Sequence, residues 1–210
     1  MQLVLASTSP RRRELLALLG LSFDVCSPIY EEQPIVGLGA KEQAAHFALE
    51  KAQSVARIRP DDIVLGSDTV IDIGGTVLGK PADIMDALTM LRRLAGRVHE
   101  VHTAVALCCQ AKPLAVVQVA TAHVAMCPDD GQAITRYLET TESLGKAGAY
   151  SIQGQGSALI ERIEGDFTTV VGLPLRMVAL LLGSAGYPFP NDVENLYRQT
   201  PYPNWGRFSR

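Results

Sequence analysis

The sequence of 210 residues predicts a mixed α/β fold, in which helices flank a sheet of parallel and antiparallel strands. Two observations lead to this prediction. In the first half of the chain, short apolar runs alternate with helical segments, as strand–helix units do. Beyond residue 97, two long runs rich in Val, Thr and Ala follow each other directly, which is typical of hairpins and argues against a purely parallel sheet. The hydrophobic content of 47% and charged content of 20% are those of a globular protein that can bury a core.

The first predicted elements are a strand and two helices. Gln2–Ser7 is apolar and ends in small polar residues, as a buried strand entering a loop does. Ser9 and Pro10 are preferred at the N-cap and first position of a helix, and Gly20 is a suitable stop. Residues 37–58 are rich in alanine and predict the second helix.

A hairpin and a third helix follow. Residues 62–81 read as two strands joined at Gly74–Gly75, a two-residue turn that accepts positive φ. Pro81 is expected to open the third helix and Gly96 to end it.

The remaining elements are two long strands, a helix, a second hairpin and a last helix. Residues 98–108 and 114–126 predict paired strands, and residues 129–143 a fourth helix. We expect a hairpin that turns at Glu164–Asp166, and a final helix from Pro174 to Gly183. We therefore assign residues 1–183 to one domain.

Residues 184–210 contain many prolines and aromatic residues without a period, and predict an extended, partly ordered tail. The tail has two interpretations: a docking segment for a partner, or a strap packed on its own body or on a dimer mate. We expect that removing residues 187–210 leaves chemistry in the body of the protein intact.

Charge and composition exclude several functional classes. A net charge of −3 and a pI of about 5.8 argue against a basic surface for nucleic acid. Neither a signal peptide nor an apolar run of membrane-spanning length is expected. The four cysteines form no C-x-x-C pair and are interpreted as buried thiols of a cytoplasmic protein, and His99–His102 reads HEVH rather than the zinc motif H-E-x-x-H.

Arg11–Arg13 crowd the first turn of the predicted first helix, where the helix dipole disfavours cations. Either these arginines are solvated, or the helix start binds an anion. The preceding hydroxyls of Ser7, Thr8 and Ser9, together with free helix amides, would complete a phosphate cradle in the second case.

Several other charged residues have two interpretations. Asp68 lies in an apolar strand, so it either caps a loop or is a metal-facing carboxylate or general base. Lys51 and Lys80 are either surface residues or part of an anion site, and Glu31–Glu32 either a solvated pair or metal ligands. The glycine-rich segment around Lys146 and Gln153 allows close approach to a ligand, but also fits a structural turn.

Six segments, in this order and spacing, resemble the Maf-like nucleoside triphosphate pyrophosphatases. They are LASTSPRRRELL, EKA, LGSDTV, LGKP, KAGAYSIQG and VVGLPL, and the resemblance covers residues 2–183. It implies an elongated mixed sheet split by a cleft, similar to the inosine triphosphate pyrophosphatases, in a homodimer. It also implies hydrolysis of a nucleoside triphosphate to monophosphate and pyrophosphate with a divalent metal, and carboxylate oxygens as ligands favour Mg²⁺ or Mn²⁺ over zinc. The segment KAGAYSIQG resembles the subgroup that prefers dTTP and UTP.

The resemblance also carries roles onto individual positions. It makes Asp68 the proton acceptor for the attacking water and places an acidic residue near the metal at Glu31 or Glu32, between which the sequence does not decide. We expect Asp68 to be a metal ligand together with that glutamate. Its substrate-binding residues are Arg11, Thr69 and Gln153 for substrate choice, and Ser7, Arg12, Lys51 and Lys80 around the triphosphate.

The chain departs from the family pattern at two glycines. Gly145 stands where relatives often carry aspartate, and Gly79 replaces a frequent acid, which weakens the expected charge pairing of Lys146 and Lys80. A non-catalytic nucleotide-binding regulator of cell division remains an alternative function.

Overall fold

The structure is a computed structural model that describes residues 1–209, and it confirms the mixed α/β fold. In this part of the chain seven strands form one sheet. The strands are β1 (Leu3–Ala6), β2 (Asp24–Cys26), β3 (Ile63–Ile73), β4 (Thr76–Leu78), β5 (Val98–Cys109), β6 (Leu114–Met126) and β7 (Ile160–Glu164). The helices are α1 (Pro10–Ala17), α2 (Ala40–Ala56), α3 (Ile84–Leu94), α4 (Ala133–Glu139), α5 (Phe167–Val171), α6 (Leu175–Ser184), α7 (Val193–Gln199) and α8 (Trp205–Phe208).

The sheet contains both strand directions, as the sequence predicts. The strand order is β2-β1-β3-β5-β6-β7, and β4 pairs with the end of β3. β1 runs parallel to its two neighbours, whereas β3, β5, β6 and β7 pair antiparallel. The predicted hairpins β3–β4 and β5–β6 are confirmed, and both glycines of the first turn have positive φ, 60° at Gly74 and 80° at Gly75.

One edge of β3 is open between two partners. β1 pairs with β3 only as far as Gly66, and β4 pairs with it only from Ile71. In the described sheet, residues 67–70 therefore have no strand neighbour on that edge, while β5 covers the other edge. Because side chains alternate along a strand, Asp68 is directed to one face of the sheet and Thr69 to the other. Both can contribute to a site at this gap.

Helix α2 packs closely against the sheet because both surfaces carry small residues. Its buried face is rich in alanine, including Ala48 and Ala52. A Cβ atom on Gly66 of β3 would collide with the Ala48 carbonyl oxygen and lie 2.9 Å from the Ala52 Cβ. Glycine at this position therefore lets α2 approach, and the approach brings Lys51 of α2 to Asp68.

The opposite face of the sheet carries the larger apolar core. Leucines of α1, α3 and α6, among them Leu15, Leu91 and Leu182, are fully buried there. Burying each such side chain stabilises the fold by roughly 1.5–3 kcal/mol. The core thereby fixes α1, and with it the arginine-rich helix start, beside the open edge of β3.

Helix α3 begins later than predicted. Ile84, not Pro81, is its first residue, because two aspartates form a reciprocal cap. Asp83 Oδ1 accepts a hydrogen bond from the Asp86 amide at 2.8 Å, and Asp86 Oδ2 accepts one from the Ala82 amide at 2.9 Å. This arrangement of side chains sets the helix start.

The hairpin predicted at Glu164–Asp166 is wrong. β7 ends there, and the β-branched residues that follow form α5 instead of a second strand. Asp166 caps α5 by accepting from the Thr168 amide at 3.0 Å, and Gly172 ends it with a φ of 119°. Two caps therefore outweigh the strand preference of the intervening residues.

The tail after residue 183 is not extended in its described part. It contains α7 and α8, and it packs on its own body, which was one of the two alternatives. Leu196 and Trp205 are buried in the main core. Tyr202 Oη donates to Glu14 Oε2 of α1 at 2.6 Å.

Two further features concern the cysteine residues and the length of the helices. The four cysteines are free thiols, and Cys108 and Cys109 are buried in β5. Among residues 1–209, no helix has both the length and the apolar character needed to cross a membrane.

Candidate active site

A cleft of about 660 Å³ lies at the open edge of β3. Its walls come from the loop Ser7–Ser9, the start of α1, helix α2, strand β3 and residues 142–153. The charged residues that line it are Arg11, Arg12, Lys51, Lys80, Lys146, Glu32, Asp68 and Glu142. Cations therefore outnumber carboxylates in the cleft, although the net charge of the chain is −3. Such a local excess of positive charge attracts an anionic ligand.

Asp68 is held in the cleft wall by a buried lysine. Lys51 Nζ donates to Asp68 Oδ1 at 2.5 Å and also forms an ion pair with Glu32. The side chains of Lys51 and Asp68 are each 7% exposed, and that of Glu32 is 33% exposed. Lys80 approaches Glu32 from the solvent side, with Nζ 3.5 Å from Oε2. Two carboxylates thus share one buried ammonium.

Burial and charge act differently on these two carboxylates. Burial raises the pKa of Asp68, and the opposing effects of Lys51 and Arg12 do not cancel it. Burial also acts to raise the pKa of Glu32, but Lys51, Lys80 and Arg12 together hold that pKa below its ordinary value. Glu32 therefore stays ionised, while Asp68 is the better proton acceptor of the two.

Arg12 reaches from α1 to β3 and to the end of α5. Its Nε donates to the Gly172 carbonyl at 2.9 Å, and its Nη2 donates to Thr69 Oγ1 at 3.2 Å. Thr69 is held in turn by Thr103, whose Oγ1 lies 3.0 Å from Thr69 Oγ1. The cation that is unfavourable at the start of its own helix is thus stabilised by the carbonyl at the end of another.

Arg11 and Lys146 form a second group of cations in the cleft. Burial, and then Arg12, lower the pKa of Arg11. Burial, and then Arg11, lower the pKa of Lys146, while Glu142 acts in the opposite direction. Cations that repel each other in this way are stabilised by an anion bound between them. Of the three consecutive arginines, Arg11 and Arg12 line the cleft, whereas Arg13 is exposed.

The start of α1 has the predicted cap. Ser9 Oγ accepts from the Arg12 amide at 3.5 Å, and the Ser9 amide donates to Ser7 Oγ at 3.1 Å. Ser7 is only 4% exposed but lines the cleft together with Thr8 and Ser9. Hydroxyls, helix amides and arginines therefore meet at one end of the cleft, as the anion interpretation requires.

The cleft brings together nearly all the residues that the resemblance singles out. These are Ser7, Arg11, Arg12, Glu32, Lys51, Asp68, Thr69, Lys80 and Gln153. Glu31 is different, because it does not line the cleft, whereas its neighbour Glu32 does. Of the two glutamates, Glu32 is therefore the one that faces the cleft, and the role of either glutamate toward a metal stays a prediction.

The sequence analysis did not single out Glu142. This residue lines the cleft, and its Oε2 accepts from the Gln155 amide at 2.8 Å, so that it holds the segment carrying Gln153. Lys80 pairs with Glu32 despite the glycine that precedes it. No spacing in the sequence signals these contacts, since each joins loops that only the fold brings together.

The donor set of the cleft fits a hard divalent cation that a phosphate ligand helps to coordinate. Glu32 and Asp68 supply carboxylate oxygens, and Mg²⁺ commonly uses one or two carboxylates together with substrate phosphates. Within the described residues, no group of three or more His, Cys, Asp and Glu is placed to hold a metal ion. The protein alone therefore offers a partial coordination set, which phosphate oxygens would complete.

Comparison with known proteins gives consistent matches over most of the chain. The family model described as "Maf-like protein" matches residues 2–185. A dTTP/UTP pyrophosphatase of Anaeromyxobacter dehalogenans is 46% identical over 90% of this chain and 96% of the relative. A dTTP/UTP pyrophosphatase of Pelotomaculum thermopropionicum is 44% identical over 89% of this chain and 97% of the relative. The solved structure of the Staphylococcus aureus Ham1 protein aligns at 13% identity with a TM-score of 0.44, over 60% of this chain and 72% of that one.

Proposed function

This chain belongs to the family of Maf-like proteins, and we propose that it is a nucleoside triphosphate pyrophosphatase that hydrolyses dTTP and UTP. The products are the nucleoside monophosphate and pyrophosphate. The observation that carries the proposal is the cleft in which Arg12 and the Lys51–Asp68 pair lie together beside the start of α1. The two relatives named above, which share more than two-fifths of their residues with this chain, carry this activity in their names.

The cations of the cleft are the proposed binding site for the triphosphate. Arg11, Arg12, Lys80 and Lys146 can neutralise phosphate oxygens, and the amides at the start of α1 add further donors. Arg12 is fixed by two hydrogen bonds to protein atoms before any ligand binds. Its guanidinium is therefore preorganised, and little conformational entropy is lost when the phosphate is bound.

Asp68 is the proposed proton acceptor. The oxygen of a water molecule attacks the α-phosphorus, its proton passes to a carboxylate oxygen of Asp68, and the bond from the α-phosphorus to the bridging oxygen breaks. Pyrophosphate leaves with the electron pair of that bond. Burial raises the pKa of Asp68, which brings it closer to the operating pH of a general base. The ammonium of Lys51 holds the carboxylate in place and stabilises negative charge nearby.

The proposal includes a divalent cation, Mg²⁺ or Mn²⁺. Glu32 and Asp68, which both line the cleft, would hold it together with phosphate oxygens, whereas Glu31 does not line the cleft. When bound, the cation would neutralise charge on the phosphate oxygens. Removal of divalent metal with EDTA should therefore abolish turnover.

Gln153 is the proposed reader of the base. Its amide has both a donor and an acceptor, as the carbonyl and N–H edge of a pyrimidine requires. The side chain lines the cleft together with Tyr150 and Ile152, which supply an aromatic and an aliphatic surface.

A homodimeric state and a cytoplasmic location also belong to the proposal. The four free thiols fit a reducing compartment, and the dimer is supported by family resemblance alone.

Product identification tests the proposed function. The protein is incubated with dTTP or UTP and Mg²⁺ in ¹⁸O-labelled water, and the products are identified by mass spectrometry. We expect pyrophosphate and a monophosphate that carries the label, because the attack is on the α-phosphorus. Release of inorganic phosphate would indicate a different phosphohydrolase. Tight binding of dTTP without turnover would favour the non-catalytic regulator.

A further inference from the structure

The C-terminal segment, residues 187–208, is anchored on the body beside the cleft, although it lies beyond the family match that ends at residue 185. Trp205 is 1% exposed. Its ring stacks on Phe167 at 5.6 Å and meets Tyr197 edge-on at 4.9 Å between centroids. Tyr197 Oη lies 2.9 Å from Thr168 Oγ1. An apolar and a polar contact thus fix the segment to α5, the helix that ends at Gly172, whose carbonyl accepts the hydrogen bond from Arg12.

Asn204, next to this anchor, contacts the segment that carries Gln153. Its Nδ2 donates to the Ile152 carbonyl at 3.0 Å and to the Gly154 carbonyl at 3.2 Å. Both partners are acceptors only, so the amide orientation of Asn204 is unambiguous. Asn204 has a φ of 64°, a conformation that asparagine tolerates better than most residues.

We propose that Asn204 is a positioning residue for base selection, because it holds the main chain on both sides of Gln153 by two hydrogen bonds. This inference rests on the proposed function of the cleft. The Ile152 carbonyl belongs to the peptide group directly before Gln153, and the Gly154 carbonyl to the peptide group after Gly154, so the two hydrogen bonds hold the main chain on either side of Gln153 and restrict the direction of its side chain. Glu142 holds the same segment from the other side through the Gln155 amide at 2.8 Å.

The expected effect is on selectivity and not on chemistry. Asn204 contacts neither Asp68 nor Lys51, whose ion pair is formed between α2 and β3. Loss of the two hydrogen bonds lets the Gln153 amide move relative to the base, and displacements of about 1 Å already matter for bound substrates. The expectation from sequence that removing residues 187–210 leaves the chemistry intact does not extend to selectivity.

The test compares Asn204→Gly with Asn191→Ala. Glycine accepts the positive φ of residue 204, so that only the amide is lost. Asn191 is a matched control in the same segment, because its Nδ2 also donates to a main-chain carbonyl, that of Leu18, at 2.7 Å. Values of kcat/KM are measured for dTTP, UTP and dGTP, and thermal unfolding is recorded for each variant.

We expect Asn204→Gly to lower kcat/KM for dTTP and UTP by about 3- to 10-fold, the loss of one or two neutral hydrogen bonds, with less than about 2-fold change for dGTP. The control should keep the wild-type preference at a similar Tm. In a double-mutant cycle, Asn204→Gly should add nothing to the preference lost in Gln153→Ala.

Four results overturn the inference. An unchanged preference in Asn204→Gly, or additive effects in the cycle, would show that Asn204 does not act through Gln153, while the wild-type activity would leave the proposed function intact. If Asn204→Gly does not fold, Asn204→Asp is measured instead. Aspartate keeps the shape of the side chain and tolerates positive φ, but its carboxylate offers no hydrogen-bond donor. An unchanged preference in Asn204→Asp counts equally against the inference. A wild-type protein that does not hydrolyse dTTP or UTP would overturn the proposed function and the inference with it.

Discussion

Replacing Lys51 by methionine should make the stability of the protein depend more strongly on pH. Methionine keeps an unbranched side chain but removes the ammonium that lies 2.5 Å from Asp68 Oδ1. Glu32 also loses this partner but keeps Lys80 at 3.5 Å and remains one-third exposed. The larger cost therefore falls on Asp68, whose side chain is 7% exposed.

The size and sign of the effect follow from burial. Removing one partner of a buried ion pair costs about 3–5 kcal/mol while the remaining group stays charged. Asp68 can reduce this cost by binding a proton, because burial already raises its pKa. The folded variant then holds a proton that the unfolded chain, with an aspartate pKa of ~3.9, has released. Because the folded state binds more protons, the stability of the variant falls as pH rises from the unfolded pKa to the folded pKa.

We therefore expect the free energy of unfolding of Lys51→Met to be about 3 kcal/mol below that of the wild type at pH 8, where the Asp68 carboxylate is charged. At pH 5 the difference should be about 1 kcal/mol, because mainly a hydrogen bond is lost there. Urea unfolding at both pH values measures this difference. The single tryptophan, Trp205, is 1% exposed and serves as the fluorescent probe. Lys41→Met is the control, because Lys41 is an exposed lysine of the same helix, and its loss should stay below about 0.5 kcal/mol. An equal loss at both pH values, or a loss no larger than in the control, would refute the buried pair.

Three further predictions concern the arginine, the close helix contact and the base reader. Arg12→Lys should lower kcat/KM for dTTP by about 10- to 100-fold, because lysine lacks the planar guanidinium that makes two fixed contacts. Arg13→Lys, at the exposed neighbouring position, should change kcat/KM less than about 2-fold. Equal losses in the two variants would contradict this prediction. Gly66→Ala should lower the free energy of unfolding by about 1–3 kcal/mol through overpacking, as measured by urea unfolding. Gly183→Ala is the control, because this glycine lies in an exposed helical position with open space, and its replacement should raise the free energy of unfolding by about 0.5–1 kcal/mol. Gln153→Ala should lower kcat/KM for dTTP and UTP more than for dGTP, and a uniform loss for all bases would argue against base reading.

The sequence predicts the site better where a residue acts through its own neighbours in the chain. Ser9 and Pro10 start α1 as their preferences require, and this places the arginines at a helix start from local information alone. Asp68 is conspicuous because it interrupts an apolar strand. The pairing of Asp68 with Lys51 is different, since it depends on how closely α2 packs over Gly66, and helical periodicity contains no information on that distance.

The wrong predictions have a similar origin. The run after Glu164 has strand-forming residues, but Asp166 and Gly172 cap a short helix there, and the Gly172 carbonyl is needed for Arg12. The tail has no apolar period because its helices are short and its anchors, such as Trp205, are contributed singly. Such contacts join residues distant in the chain, and only the folded structure brings them together.

The most direct test of the account is the turnover of Asp68→Asn with dTTP and Mg²⁺, measured together with the affinity for a non-hydrolysable dTTP analogue. Asparagine keeps the shape of the side chain but cannot accept the proton from water at neutral pH. The account predicts that kcat falls on the order of 10²–10⁴-fold, while the analogue still binds. A variant that binds the analogue and hydrolyses dTTP at nearly the wild-type rate would contradict the assignment of Asp68 as the proton acceptor.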